Sequence, residues 1–91
     1  MIKSFKHKGL EKLFTKGDPS KINPNHIKRI KMILGIIHRA KIIDDINFPG
    51  SRLHPHKGNE NIWSVDVSGN YRIIFKFIDG NAYILDYKDP H

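Results

Sequence analysis

The chain has 91 residues, with 16 Lys and Arg against nine Asp and Glu, a formal net charge of +7 and no cysteine. This length favours a single domain over residues 1–91, built around one hydrophobic core. The absence of cysteine excludes disulfides and thiolate metal sites. The longest apolar run, Met32 to Ile37, is too short to span a bilayer, and no signal-peptide pattern opens the chain. We therefore expect a soluble, cytoplasmic protein.

The positive charge is concentrated in the first half of the chain. Residues 1–43 carry eleven Lys and Arg against two acids, whereas residues 44–91 carry five against seven. A basic half beside a nearly neutral half predicts a docking surface for a polyanion, with nucleic acid well ahead of a membrane. The alternative is that the lysines only keep a small domain soluble, but the concentration of charge in one half argues against it.

The first predicted helix covers residues 7–16. Leu10, Leu13 and Phe14 have the i, i+3, i+4 spacing of one helical face, and Gly17 follows as a helix stop. The five residues at the start of the chain are predicted to form a short edge strand.

The second predicted helix begins at Asn23-Pro24. Asparagine accepts an unpaired backbone N–H at a helix start, and proline is tolerated at the first helical position. Asp44-Asp45 then predicts one more helical turn, which Pro49-Gly50 ends. The second helix carries an apolar stripe that we expect in the core: Ile27, Ile30, Ile33, Leu34 and Ile37.

Strict alternation from Trp63 onward predicts an antiparallel sheet made of consecutive hairpins. The expected fold class is therefore α+β, with two N-terminal helices packed on one face of this sheet. Asp79-Gly80 predicts a two-residue hairpin turn, because both positions favour φ > 0. That turn places Arg72 opposite Tyr87.

The preceding turn, residues 68–70, is interpreted as a three-residue loop with a bulge. This interpretation sets Val67 opposite Tyr71 and Asp66 opposite Arg72. All apolar side chains then share one face. The opposite, polar face is predicted to gather Arg52, His54, His56, Asp66, Arg72, Lys76 and Tyr87, with Asp89 and His91 just beyond the last strand.

Imidazoles are the first candidates for chemistry on the polar face. A zinc site needs three or four fixed ligands, and without cysteine or an H-E-x-x-H motif we predict no metal and no cofactor. His54 shares its face with Arg72, and an imidazole titrates near neutrality, which suits proton transfer. For His7, His26 and His38 the expectation is a surface histidine without a role.

Fixed cations accompany the imidazoles. Lys57 and Arg72 suit a clamp on a phosphate and on the extra charge of a phosphoryl transition state, although Arg72 is also placed for a weak surface salt bridge to Asp66. Cations, imidazole and carboxylate without metal are what RNA cleavage by its own 2′-OH requires. Arg52, Lys76 and Tyr87 are predicted to bind the substrate.

Longer strings resemble a known family. The chain contains MIKSFKHKGLEKLF, RLHPHKG, WSVDVSGNYRIIFKFIDGNAYILDY and a terminal Asp-x-His. These strings are similar, over essentially the full length, to HigB toxins of the RelE/ParE toxin superfamily, also described as plasmid-maintenance killer proteins. The resemblance implies a ribosome-dependent mRNA interferase that cuts mRNA in the ribosomal A site. A helix-turn-helix antitoxin of the HigA type would neutralise it.

By this resemblance the catalytic residues are His54, Lys57, Arg72, Asp89 and His91. The toxin outside its antitoxin complex is expected to be a monomer, with ribosomal RNA and mRNA as its other partners and no membrane contact. One departure stands out, because family members commonly end in Asp-Tyr-His whereas this chain ends in Asp-Pro-His. A tyrosine able to stack on a base is replaced by Pro90, which restricts the backbone before the last residue.

Two other functions remain open from the sequence. A ParE-like inhibitor of DNA gyrase needs no constellation at positions 54, 57, 72, 89 and 91, so the presence of these residues argues against it. A non-catalytic RNA-binding module would bind single strands with a salt slope of about −0.7 per phosphate contacted but would not cut them.

Overall fold

The computed structural model describes residues 1–89 and contains two helices and a four-stranded antiparallel sheet. This confirms the predicted α+β class. In the described part of the chain, no helix combines the length and the apolar character needed to cross a membrane. The helices are α1 (Lys8–Lys16) and α2 (Ile27–Arg39), with 3₁₀ turns at Pro24–His26 and Ile43–Ile46, and the strands are β1 (His54–Pro55), β2 (Ile62–Ser68), β3 (Tyr71–Ile78) and β4 (Asn81–Lys88).

The helix ends lie where capping chemistry predicts them. The N–H of Leu10 donates to Nδ1 of His7, and Gly17 ends α1 in the left-handed conformation with φ 69°. The Asn23 side chain accepts from the N–H of Asn25 and starts the 3₁₀ turn that leads into α2. A side-chain to backbone hydrogen bond therefore caps α1. At the predicted start of the second helix, Asn23 caps the 3₁₀ turn, and α2 itself begins at Ile27 without a side-chain cap from any described residue.

One hydrophobic core joins both helices to the sheet. Four residues of the predicted α2 stripe are buried and the fifth, Ile27, is partly buried against them. Val65, Ile73 and Phe75 from β2 and β3 are fully buried in the same cluster. The whole buried cluster is Ile2, Leu10, Leu13, Ile22, Ile30, Ile33, Leu34, Ile37, Ala40, Ile46, Val65, Val67, Ile73, Phe75, Phe77, Ala82 and Leu85.

The hairpin turn between β3 and β4 was predicted correctly, whereas the predicted register at the turn between β2 and β3 is shifted. Asp79 and Gly80 both have positive φ, 52° and 78°, and they connect β3 to β4 as a two-residue turn. At the β2–β3 turn, Asp66 lies opposite Arg72 as predicted, but Ser68 rather than Val67 lies opposite Tyr71. The predicted Val67–Tyr71 pair is wrong because the register shifts between Asp66 and Ser68, which leaves Val67 as the extra residue.

A second irregularity, in β4, changes which side chains share a face. Between Ile74 and Lys76 the β3–β4 register shifts, and Ile84 takes the left-handed conformation with φ 51°. As a result Arg72 lies opposite Lys88, and Tyr87 lies opposite the fully buried Ile73. The predicted Arg72–Tyr87 pair is therefore wrong, because a bulge inserts one residue and inverts the side on which each later side chain points.

The chain start runs beside the outer edge of β4. Ile2 and Phe5 form isolated parallel bridges to Ala82 and Leu85, and the Ser4 hydroxyl accepts from the N–H of Ile84 at 2.8 Å. The start of the chain is thus an extended segment that pairs with this edge at two points, and its serine hydrogen-bonds the bulged residue.

Candidate functional site

The polar face of the sheet is assembled by cross-strand pairs in β1, β2 and β3. His54 lies opposite Ser64, and Asp66 lies opposite Arg72. Directly paired residues point to the same side of a sheet, as do residues two apart along one strand. His54, Ser64, Asp66 and Arg72 therefore share one face. We refer to them together with Arg52 and His56 as the His54 cluster.

Two imidazoles stack in this cluster. The rings of His54 and His56 are 6.2 Å apart between centroids and 13° from parallel. Burial lowers the pKa of His56 below the usual 6.5, and the charges of His54 and Arg72 lower the pKa further. His56 is therefore a neutral imidazole at pH 7 that lies within electrostatic reach of Arg72.

Both ring nitrogens of His54 have partners within the protein. Nδ1 lies 2.8 Å from the backbone carbonyl oxygen of Arg52, and Nε2 lies 2.8 Å from the hydroxyl of Ser64. Ser64 is fully buried. These two contacts fix the plane and the position of the His54 ring on the sheet.

The ion pair at this face involves a different arginine from the one that was expected. The carboxylate of Asp66 lies 3.4 Å from Nε of Arg52, whose side chain is 82% exposed. Nε of Arg72 is buried and has no hydrogen-bond partner within residues 1–89. A buried donor without a partner is uncommon and costs on the order of 1–3 kcal/mol, so native structures retain few of them.

The remaining predicted residues lie at the edges of this face. Lys57 is exposed in the turn that follows β1, and Asp89 is exposed immediately after β4, next to the Lys88 that pairs with Arg72. Lys76 points to the same side as Arg72 but lies four residues further along β3, about 13 Å away at the usual rise per residue. There it lines a groove of about 340 Å³ with Tyr83 and Ile84. His91 and Pro90 lie outside the described residues.

Tyr87 belongs to a separate aromatic cluster. Its hydroxyl lies 2.6 Å from Nδ1 of His26, its ring stacks on Tyr71 at 5.2 Å between centroids, and His7 meets it edge-on at 5.5 Å. Burial raises the pKa of Tyr87, and Tyr71 raises it further. We refer to His7, His26, Tyr71 and Tyr87 as the Tyr87 cluster. The inference that Tyr87 reaches the polar face beside Arg72 is wrong, because the bulge points it to the other side.

Three histidines that were expected to be plain surface residues have structural partners. His26 is 6% exposed and bonds Tyr87, His7 caps α1, and Nδ1 of His38 accepts the N–H of Ile2 at 3.1 Å. That expectation is therefore wrong for all three, since each joins two parts of the backbone or the core.

Alternation along the strand already placed Ser64 on the polar side but gave it no role, and Asp86 is a polar-face residue that the sequence did not identify. Asp86 lies opposite Ile74, and its side chain is 14% exposed and 3.9 Å from Nζ of Lys88. Its place follows from the bulge. The sequence did contain a signal for this bulge. In a regular strand, the alternation that points Ala82 into the core would also have pointed Asp86 into the core. His56 was assigned to this face but was given no role.

No group of three or more His, Cys, Asp or Glu side chains is placed to hold a metal ion in the described range 1–89. The chemistry available on the polar face is that of a guanidinium, imidazoles and carboxylates.

Two helices with a four-stranded antiparallel sheet, and one sheet face that carries arginine and histidine, have the architecture expected of RelE-like toxins. A family model, described as the RelE-like toxin of the type II toxin-antitoxin system HigB, matches residues 3–91. The chain belongs to this family of HigB-like toxins. The resemblance predicted from the sequence strings is confirmed, and a toxin of this kind implies an antitoxin partner.

Two relatives match along the whole chain. One is a Proteus vulgaris protein named Endoribonuclease HigB, which is 49% identical over 92 residues that cover 100% of both chains. The other is Toxin HigB-1 of Vibrio cholerae serotype O1, which is 33% identical over 94 residues that cover 100% of this chain and 98% of the relative.

Proposed function

We propose that this protein is a ribosome-dependent endoribonuclease that cleaves mRNA in the ribosomal A site and so inhibits translation. The observation that carries the proposal is the convergence of Arg72, His54 and His56 on one sheet face. The full-length similarity to a protein named as an endoribonuclease supports it. The whole chain, residues 1–91, acts as a single RelE-like domain in this proposal.

The proposed reaction is attack by the RNA's own 2′-OH, without a metal ion. A base removes the hydroxyl proton, the oxygen attacks the adjacent phosphorus, and an acid protonates the leaving 5′-oxygen. Lys57 and Arg72 hold the phosphate and its developing charge. The acid and base roles are shared among His54, Asp89 and His91.

Binding of the RNA on either side of the cleaved linkage is assigned to the outlying cations of the same face. Arg52 is highly exposed beside the His54 cluster, and Lys76 lies about 13 Å from Arg72 along β3. Tyr87 is left out of the proposed RNA site, because its side chain packs against His26 instead.

The remaining parts of the molecule are assigned to binding of the ribosome and to neutralisation by the antitoxin. We place both helices over the apolar face of the sheet, where their buried residues share a core with β2 and β3. The lysines of the first half then contact ribosomal RNA, which explains why efficient cleavage needs the ribosome to position the substrate. A HigA-type helix-turn-helix antitoxin neutralises the toxin in the cytoplasm, and the free toxin is a monomer.

The test uses translating ribosomes and an mRNA with a single 2′-deoxy nucleotide. Cleavage of the all-ribose mRNA should fall within the A-site codon and leave a 5′-hydroxyl and a 2′,3′-cyclic phosphate. Replacing the ribose on the 5′ side of the cut with deoxyribose should abolish that cut, because the attacking oxygen is gone. A deoxy substitution one codon away is the matched control and should change nothing.

Three results would contradict the proposal. Equal cleavage of the deoxy-substituted mRNA would exclude 2′-OH attack, and equal cleavage of free mRNA would exclude dependence on the ribosome. No scission at all, with supercoiling by purified gyrase inhibited, would assign the protein to the gyrase-inhibitor branch of the superfamily.

A further inference from the structure

Ser64 is a buried hydroxyl on a sheet face whose other polar groups reach solvent. A buried hydroxyl is unfavourable unless it is hydrogen-bonded, and the bond of Ser64 goes to Nε2 of His54 at 2.8 Å. The two residues also lie directly opposite each other in the β1–β2 ladder. The place of Ser64 on the strand therefore fixes where its hydroxyl meets the imidazole.

The second contact of His54 determines which ring nitrogen carries the proton. Nδ1 lies 2.8 Å from the carbonyl oxygen of Arg52, and a carbonyl only accepts, so Nδ1 must donate. In the neutral ring Nε2 is then the acceptor and the Ser64 hydroxyl is its donor. Arg52 has φ 46°, a conformation that residues other than glycine rarely adopt, so its carbonyl is held toward His54 at a cost in backbone strain.

We propose that Ser64 is a positioning residue that, together with the carbonyl oxygen of Arg52, holds the His54 ring in one orientation on the sheet face. The Arg52 carbonyl makes Nδ1 the donor, and the Ser64 hydroxyl fixes the position of Nε2. The inference rests on the proposed RNA cleavage. A hydroxyl can both donate and accept, so Ser64 bonds Nε2 by donating when His54 is neutral and by accepting when Nε2 carries a proton. The ring therefore keeps the same orientation in its neutral and in its protonated form. Ser64 is fully buried, so it acts on the reaction through His54.

The first test measures the tautomer in the free protein, without RNA. Nitrogen-15 NMR of labelled histidine should show His54 with a protonated Nδ1 and an unprotonated Nε2 at a pH where the ring is neutral. In Ser64→Ala the Nδ1–H tautomer should persist, because the Arg52 carbonyl still accepts from Nδ1, but the Nε2 resonance should shift, because its hydroxyl donor is gone. A His54 ring protonated at Nε2 in the wild type, or an unchanged spectrum in Ser64→Ala, would overturn the proposal.

The second test measures cleavage on translating ribosomes. Loss of one oriented hydrogen bond to a reacting group should lower kcat about tenfold, and KM should stay unchanged because Ser64 does not contact the RNA. Ser64→Cys keeps a weak donor and should recover part of the rate. A wild-type kcat in Ser64→Ala, or a change confined to KM, would refute the positioning role.

Ser51 offers a matched control. It is a second fully buried serine, and its hydroxyl has no hydrogen-bond partner in the described part of the chain. Ser51→Ala should leave both the Nε2 resonance of His54 and kcat unchanged, and an equal loss of activity there would point to a general packing defect. If the wild type cleaves no mRNA, the proposed function fails, whereas the tautomer measurement still decides how Ser64 and His54 interact.

Discussion

The His54 cluster and the Tyr87 cluster are built from similar residues and differ in what surrounds them. In the Tyr87 cluster a nearly buried histidine meets a tyrosine hydroxyl at 2.6 Å, and the aromatic rings stack or meet edge-on. In the His54 cluster the imidazoles lie on the opposite face, beside arginines and a carboxylate. Histidine content alone therefore does not indicate a site, and the partners of each ring decide its role.

Electrostatics separate the two clusters further. The Tyr87 cluster contains no fixed charge of its own, and the pKa of its tyrosine is raised by burial, so it stays neutral. The His54 cluster places the neutral His56 within the field of Arg72, whose buried Nε has no partner within residues 1–89. The first arrangement stabilises the fold, and the second is suited to an anionic ligand.

The largest effect should follow from removing the guanidinium of the His54 cluster. We expect Arg72→Ala to lower mRNA cleavage by roughly 10²–10³-fold, the usual loss when one donor to a developing negative charge is removed. Arg72→Lys should recover only part of the rate, because lysine lacks the planar pair of donors. The measurement is primer extension on mRNA from translating ribosomes.

Arg39→Ala is the control for a general loss of positive charge, since Arg39 is an exposed arginine at the end of α2. It should cleave at close to the wild-type rate. Near-normal cleavage by Arg72→Ala would show that Arg72 does not hold the phosphate, and the proposed functional difference between the two clusters would then be wrong.

The next effect concerns stability and belongs to the Tyr87 cluster. Tyr87→Phe removes the hydroxyl that bonds the nearly buried His26, so the free energy of unfolding should fall by about 1–3 kcal/mol. The folded variant should cleave mRNA as the wild type does. Urea denaturation measures the first quantity and the ribosome assay the second.

Tyr83→Phe is the matched control, because Tyr83 is a half-buried tyrosine of the same strand that lines an open groove away from His26. It should change stability little. If Tyr87→Phe instead lost activity at unchanged stability, Tyr87 would have to reach the RNA, and the separation of the two clusters would be incorrect.

Local chemistry explains why the helices and the β3–β4 turn were predictable. Gly17 supplies the left-handed stop, Asn23-Pro24 supplies the cap and first turn, and Asp79-Gly80 supplies two positive φ angles. Each signal acts within a few residues of the chain, so the sequence alone contains it. The Asp66–Arg72 pair followed from the same local reasoning.

The bulge in β4 was not predictable from turn chemistry, because its left-handed residue is Ile84 instead of Gly or Asn. The conformation is specified by longer-range packing, which needs Leu85 and Tyr87 inside and Asp86 outside. The Ser64–His54 bond was also hidden. It depends on the register of β1 against β2, and the loop of residues 56–61 between them has no turn signal that fixes that register.

A smaller effect tests the bulge itself. Ile84→Gly and Ile84→Ala both remove the side chain, but only glycine adopts φ 51° without strain. The glycine variant should therefore be more stable than the alanine variant by about 1 kcal/mol. In a regular strand the order would be reversed, because interior glycine is the less stable residue there. If the alanine variant proved more stable than the glycine variant in urea denaturation, residue 84 would lie in a regular strand. The bulge would then be incorrect, and Tyr87 would point to the polar face.

The smallest effect is a pH dependence that belongs to the His54 cluster. The folded-state pKa of His56 lies below 6.5 because of burial and the charges of His54 and Arg72. As pH falls below about 6.5 the unfolded chain takes up a proton before the folded chain does, so the free energy of unfolding decreases. His56→Gln should flatten this decrease below about pH 6.5. The pKa values of Asp18 and Asp45 are lowered from 3.8, so these carboxyl groups take up protons only in more acidic solution. Their titration therefore does not mask the effect of His56. An identical slope in His56→Gln would mean that the pKa of His56 is not lowered in the folded protein, which would contradict the burial of this imidazole beside His54 and Arg72.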